Sequence, residues 1–165
     1  MTAPVVRRVV CPGSFDPVTL GHLDIIERAA GLFGDVVVAV GRNASKSALF
    51  TPQERVLMLR QACAAWPGVT VTLFGGLLVD FCREEQIGAI VKGVRSASDY
   101  DYELRMAQMN ARLTGVDTVL LPTAPQWSFV SSSLVREVAL LGGDVSSFLP
   151  AEVAARTIER VRSRG

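Results

Sequence analysis

The sequence predicts an α/β fold: a single-domain, doubly wound, Rossmann-like sheet of five mostly parallel strands. Three observations carry this. Five short, β-branched apolar runs recur at residues 5–11, 35–40, 69–74, 88–91 and 117–121, and continuous apolar strands of that length suit a parallel sheet covered on both faces. Helical patterns with polar caps and glycine or proline stops alternate with them. No repeat, low-complexity tract or long linker interrupts the alternation, which leaves right-handed crossovers as the connection. At 165 residues and 49% hydrophobic content, the chain can bury a real core without staples.

The first run, VVRRVVC, is stopped by Pro12-Gly13 and leads into the segment around which the rest is arranged, PGSFDPVTLGH at residues 12–22. Two prolines and a glycine hold it irregular, and Thr19 can cap a helix that carries His22 in its first turn. An anion placed there would meet unpaired N–H groups, the positive end of the helix dipole and an imidazole. Gly21 leaves space for its approach. By itself, a histidine in a first turn is more often a solvated or core-packed residue than a catalytic one.

DVVVAV at residues 35–40 is the second strand, ended by Gly41. The following loop carries Lys46 at the C-terminal edge of the sheet, where α/β folds bind ligands. It is not a Walker A loop, because Ser45 stands where a glycine is required before the lysine. Thr51, Pro52 and Glu54 supply N-cap, N1 and N3 of a structural helix expected to reach Trp66. VTVTLF at residues 69–74 is the third strand, and Gly75-Gly76 turns the chain into a helix over residues 77–86. Leu77, Leu78 and Phe81 read as core, with Leu78 near enough to the strand end to line a pocket for an apolar substrate arm. The fourth strand, residues 88–91, delivers Lys92, Gly93 and Arg95 to the sheet edge, as either a surface charge pair or two cations for phosphates. A long helix from Ser98 carries methionines at helical spacing, read as core, with Gly115 beyond its end. After the fifth strand comes WSFVSSSLVR, whose serines must include an N-cap and whose spare hydroxyls and N–H groups would form a second anion cradle. An amphipathic C-terminal helix over residues 150–162 reads as packing, and its Arg156, Arg160, Arg162, Arg164 series as a solvated end.

Composition excludes several classes. With 17 basic and 16 acidic residues the net charge is +1, so no global field holds nucleic acid and any anion is met locally. Cys11, Cys63 and Cys82 lack disulfide or zinc spacing and read as buried thiols. No apolar run approaches a membrane span and no signal-like h-region is present, so a soluble, cytoplasmic protein is expected. No G-x-G-x-x-G follows the first strand, which weakens a dinucleotide oxidoreductase.

PGSFDPVTLGH resembles the first motif of the nucleotidyltransferase superfamily, T/H-x-G-H after the first strand. Over nearly its full length the chain resembles the bacterial phosphopantetheine adenylyltransferase family, with SKSALFTPQER, VKGVRSASDYDYE and WSFVSSSLVR similar to three further motifs in order. That resemblance implies a nucleotidyltransferase-type fold and transfer of the adenylyl group of ATP to 4′-phosphopantetheine, giving dephospho-coenzyme A and pyrophosphate. It implies that His22, Lys46 and Lys92 act in catalysis. Ser14, Phe15, His22, Gly93, Val94, Arg95, Trp127, Ser128, Phe129, Val130, Ser131, Ser132 and Ser133 would contact ATP. Ser14, Lys46, Leu78, Lys92 and Glu103 would bind phosphopantetheine. It further implies Mg²⁺ with ATP, a homohexamer and feedback binding of coenzyme A. Three positions depart from commoner family forms: Ser14 for threonine, Lys92 for arginine and Ser47 for a second lysine.

The residue inventory agrees with that chemistry. A phosphate monoester is already an oxyanion near neutral pH and needs no serine triad or general-base dyad, and the chain offers neither. What is needed is alignment of two repelling phosphates and stabilisation of charge at the α-phosphorus. Two rivals stay open at this level: a relative acting on nicotinamide mononucleotide or glycerol phosphate, and a non-catalytic ATP sensor.

Overall fold

A computed structural model describes residues 5–42 and 47–164. Its strands are β1 (Arg8–Gly13), β2 (Asp35–Gly41), β3 (Val69–Phe74), β4 (Ala89–Val94) and β5 (Asp117–Pro122). The helices are α1 (Leu20–Phe33), α2 (Pro52–Ala62), α3 (Leu78–Glu84), α4 (Ala97–Thr114), α5 (Ser132–Leu140) and α6 (Ala151–Arg162). The strands form one sheet in the order β3-β2-β1-β4-β5, every pair parallel, as the alternating pattern predicts. The order reverses direction between β1 and β4, and the crevice outside strand ends at such a switch point is where open α/β sheets bind ligands.

β1 opens that crevice. It pairs with β2 over all six residues but with β4 only through Val9 and Val10, so the two central strands separate beyond Val10. Pro12 and Gly13 therefore continue the strand instead of stopping it, since a proline without an N–H is tolerated where one side of a strand has no ladder partner. At the other end, Val5 and Val6 are exposed and lie outside the strand. β4 likewise runs three residues past its expected end because Lys92, Gly93 and Val94 pair with Leu120, Leu121 and Pro122 of β5.

The helices cover both faces. α1 and α2 join β1 and β2 in a core that includes Val9, Ile26, Val38, Leu59 and Val91, while α3 packs Cys82 against Val10, Val37 and Ile90 on the opposite face. Both Thr19 and Thr51 close capping boxes. α2 ends at Ala62, short of Trp66: the chain turns at Cys63, and the Trp66 N–H donates to the Cys63 carbonyl. Leu77 is exposed at the head of α3, whereas Phe81 packs on Phe74.

Two expectations are corrected. The methionine stripe of α4 is not core: Met106 and Met109 are 39% and 57% exposed, beside exposed Tyr102 and Leu113. The spacing was that of a buried face, but the only buried residue of this helix is Asn110. The α6 arginines are not all solvated either. Arg160 pairs with Glu54, donates to the Leu49 carbonyl (2.9 Å) and sits 5.0 Å over the Phe50 ring, and Arg164 donates to Ala48 and Leu49 carbonyls. Both clasp the segment before α2, which a helical-end reading of the sequence had no means to supply.

Candidate active site

A cleft of about 280 Å³ occupies the switch point, walled by His22, Lys92, Gly93, Arg95 and the start of α5. His22 reaches it through two local constraints. The Thr19 backbone N–H donates to Nδ1 (3.0 Å) and the Thr19 hydroxyl accepts from the His22 N–H (3.3 Å). Nδ1 is therefore an acceptor, and Nε2 carries the ring proton towards the cleft. Burial, with help from Arg95 and then Lys92, pushes the imidazole down to about 4, so His22 is neutral at pH 7 and acts as a hydrogen-bond donor. Phe15 supports the ring edge-on, with centroids 5.0 Å apart. It does so in left-handed backbone (φ 49), a conformation rare for a bulky residue. Gly13 makes this possible, because a Cβ there would lie 3.0 Å from the Phe15 ring.

Cleft cations come with carboxylates. Lys92 pairs with Glu103 at 3.1 Å. Arg95 is gripped by both oxygens of Asp99 (2.9 and 3.4 Å) and donates through Nη1 to the Val130 carbonyl (2.9 Å). The Arg95 contact holds Asp99 below the usual carboxylate range. Of five guanidinium N–H groups these bonds occupy three, leaving two for a ligand. Among the serines, Ser131 is the N-cap of α5, accepting from the Leu134 N–H (3.1 Å), and Ser132 donates to the Pro17 carbonyl (2.8 Å). The second cradle is therefore less one of spare hydroxyls than of the amides of Ser132 and Ser133 at the start of α5. Cys11 also lines the cleft, but burial pushes its thiol up to about 12, which leaves it inert as a nucleophile.

Beside the cleft, and sharing Pro12, Gly13 and Lys92 with it, lies an open basin of about 310 Å³ floored by Gly41, Gly75 and Gly76 and bordered by Ser14, Arg42 and Leu78. A narrow slot continues from Leu78 between β4 and α4, past Tyr102 and Met106 to Asn110. Leu78 thus stands where an apolar arm could enter, as its position after β3 suggests.

The sequence does not foresee what holds these parts together. The Asp16 carboxylate is buried and accepts from the Leu49 and Phe50 N–H groups, both at 2.8 Å. Arg136 donates to the Asp16 carbonyl (2.6 Å) with its guanidinium 3.6 Å from the carboxylate. Arg55, 1% exposed, donates to the Ser14 carbonyl (2.6 Å), so α2 is more than structural filler. Two stretches far apart in the chain, residues 49–55 and 132–136, are fastened to the turn at residues 14–19. The single signal available was charge at helical positions facing a core, at Arg55 and Arg136.

A cytidylyltransferase-like family model matches residues 10–138. A phosphopantetheine adenylyltransferase of Nocardioides sp. is 62% identical over 154 residues, covering 93% of this chain and 97% of its own. Those of Streptomyces coelicolor and Thermobifida fusca are 55% and 57% identical, over 96% and 91% of this chain and 99% and 92% of theirs. The chain belongs to the phosphopantetheine adenylyltransferase family. The crystal structure of a lipopolysaccharide core biosynthesis protein from Thermoplasma volcanium superposes with a TM-score of 0.53 at 20% identity, over 71% of this chain and 95% of that one, a likeness of fold alone.

Of the residues that the phosphopantetheine adenylyltransferase resemblance singled out, the cleft unites Phe15, His22, Lys92, Gly93, Arg95, Glu103, Val130, Ser131, Ser132 and Ser133. Ser14 and Leu78 face the adjoining basin. Val94, Trp127, Ser128 and Phe129 are outside the cleft wall: Val94 pairs with Pro122, Ser128 bonds the Pro125 carbonyl, and Phe129 packs edge-on against Phe148. Trp127 lies against the helix start, where a Cβ on Gly21 would come within 3.4 Å of its own, so part of the space left by Gly21 is filled by tryptophan. Gly93 similarly lets β4 approach α1, since a Cβ there would lie 2.8 Å from Ile25. Lys46 lies outside the described residues.

Proposed function

We infer that this chain transfers the adenylyl group of ATP to the 4′-phosphate of phosphopantetheine, giving dephospho-coenzyme A and pyrophosphate. The observation that carries the reading is the shared wall at Lys92, where a cleft holding a neutral histidine donor adjoins a basin leading to an apolar slot. A triphosphate in the cleft and a phosphorylated arm in the basin would meet there. An oxygen of the acceptor phosphate attacks the α-phosphorus in line. The new P–O bond forms as the bond to the bridging α,β-oxygen breaks, and that electron pair leaves with pyrophosphate. His22 Nε2–H donates to an α-phosphoryl oxygen as charge builds on it, Lys92 steadies the acceptor phosphate, and Arg95 with the α5 amides holds the departing pyrophosphate. Ser14 and Lys46 are assigned to the acceptor.

Mg²⁺ is proposed as a companion of ATP. Among the described residues no three His, Cys, Asp or Glu side chains gather as a cage, and Asp99 and Glu103 are each engaged by a cation. The ion's ligands in this reading are triphosphate oxygens and water, the usual arrangement for nucleotide magnesium. Coenzyme A, which contains the product, would compete for the same surface. The exposed α4 face supports assembly into the proposed homohexamer. No helix among the described residues is long and apolar enough to cross a membrane, and a cytoplasmic location is proposed on the reaction's substrates.

Pyrophosphate release, measured with each acceptor and nucleotide in turn, tests the assignment. Release is expected with phosphopantetheine and ATP. Release with nicotinamide mononucleotide, or with glycerol phosphate and CTP, would replace it, and ATP binding without release would make the chain a sensor.

A further inference from the structure

We propose that Arg42 is a specificity-determining residue for the acceptor, binding its phosphate dianion from the side of the basin opposite Lys92. This rests on the adenylyl-transfer reading above and adds to it a residue that the motifs do not contain. Arg42 follows β2 directly, and its backbone N–H is committed to the Phe74 carbonyl (2.9 Å). That bond fixes the origin of the side chain at the rim. The stem then crosses Gly75, where a Cβ would lie 3.4 Å from the Arg42 Cδ, so a pair of glycines leaves room for the guanidinium to lie over the basin.

Charge accounting gives the cation its role. Among the described residues the basin is lined by Arg42 and Lys92 and by no carboxylate. Lys92 is already paired with Glu103, whereas Arg42 has no carboxylate partner among the described residues. A phosphate monoester carries about −1.5 to −2 at neutral pH, and as a dianion it exceeds what a half-compensated Lys92 and the Lys46 already assigned to the acceptor balance together. A guanidinium at the end of a stem rooted at the sheet edge supplies the missing charge, and its planar fork suits two phosphate oxygens at once. The floor of glycine backbone lets the anion come close to both cations.

The test uses the full chain and the pyrophosphate-release assay with R42A and R42K. R42A is expected to raise KM for phosphopantetheine about tenfold, the size of one charge-assisted contact, while KM for ATP stays within about twofold. R42K should recover part of the loss. In calorimetry, wild type should prefer phosphopantetheine to unphosphorylated pantetheine, and R42A should lose about tenfold of that preference with its affinity for pantetheine unchanged. Arg42 is exposed, and a melting temperature matching wild type separates binding from folding. Equal KM values in R42A and wild type, or an equal loss for pantetheine, overturns the proposal. If wild type itself does not use phosphopantetheine, the assignment of function has failed first.

Discussion

The cleft and the basin differ in how they handle charge, although they share a wall. In the cleft every cation faces an acid: Lys92 faces Glu103, Arg95 faces Asp99, and the imidazole between them is neutral. In the basin Arg42 stands without a carboxylate among the described residues. In the adenylyl-transfer reading, a triphosphate travelling with the proposed Mg²⁺ would have part of its charge cancelled before it arrives, whereas a bare phosphate monoester has none cancelled and needs counter-charge. On that reading, a balanced cleft would orient one substrate and an unbalanced basin would attract the other.

The largest expected effect comes from removing the donor aimed at the reacting phosphorus. His22→Ala should lower kcat about 10²- to 10³-fold, the usual loss for a donor aimed at developing charge, with ATP affinity changed less than about threefold. Steady-state kinetics beside ATP calorimetry decide this. An unchanged kcat removes His22 from the mechanism, and equal losses in kcat and affinity make it a binding residue.

That donor was legible in the sequence, and its neighbours were legible to different degrees. Residues 12–22 announce themselves because a strand, a turn and a capped helix start must follow one another locally, and Thr19 and His22 are within one turn. The strand order was not legible, because nothing in residues 88–94 says that this run lies beside β1 and not beside β3. The same limit hid the fastening of the site. Asp16 meets Leu49 and Phe50 across more than thirty positions, and Arg136 reaches it across 120. Periodicity misled at α4, where Met106 and Met109 follow a buried face's spacing on a face this chain leaves uncovered.

The charge balance at the junction can be tested directly. Lys92→Gln should raise KM for the acceptor about tenfold or more, because it leaves Glu103 as an unopposed negative charge where the dianion must sit. Adding Glu103→Gln should recover part of that loss. Pyrophosphate-release kinetics on the two single variants and the double variant give the coupling. Strict additivity would mean that the 3.1 Å pair does not set the field in the basin.

A smaller effect is expected from the clasp on the segment before α2. Arg160→Ala removes the contacts to Glu54, Leu49 and Phe50 and loosens the segment whose Leu49 and Phe50 amides fasten onto Asp16. KM for phosphopantetheine should rise by no more than about fivefold, since these are partly exposed contacts worth about 1 kcal/mol together, while KM for ATP should not move. A change confined to ATP would place the clasp on the wrong side of the comparison.

The mildest effect isolates the cleft's hold on its imidazole. His22 is the only histidine in the chain, and its folded value of about 4 lies below the ordinary 6.5. Above pH 6.5 both folded and unfolded chains hold it neutral, and stability is complete. As pH falls from 6.5 the unfolded chain takes up a proton that the folded one refuses, so stability declines until the folded ring protonates near pH 4. Carboxylates act lower. Glu54, pushed down to about 2 by Arg160, and Asp99, lowered by Arg95, stabilise the fold above their ordinary values and lose that contribution only as pH drops further. The interval from pH 6.5 to 5 therefore reports His22. His22→Gln keeps a capping box with Thr19 but cannot titrate, so its melting temperature should be flat across the interval where wild type declines. Activity is a poorer readout, because the acceptor phosphate itself titrates near pH 6. Parallel melting curves for the two proteins would mean that the folded ring takes up its proton over the same pH range as the unfolded one, and that the cleft does not hold the imidazole neutral below its ordinary range.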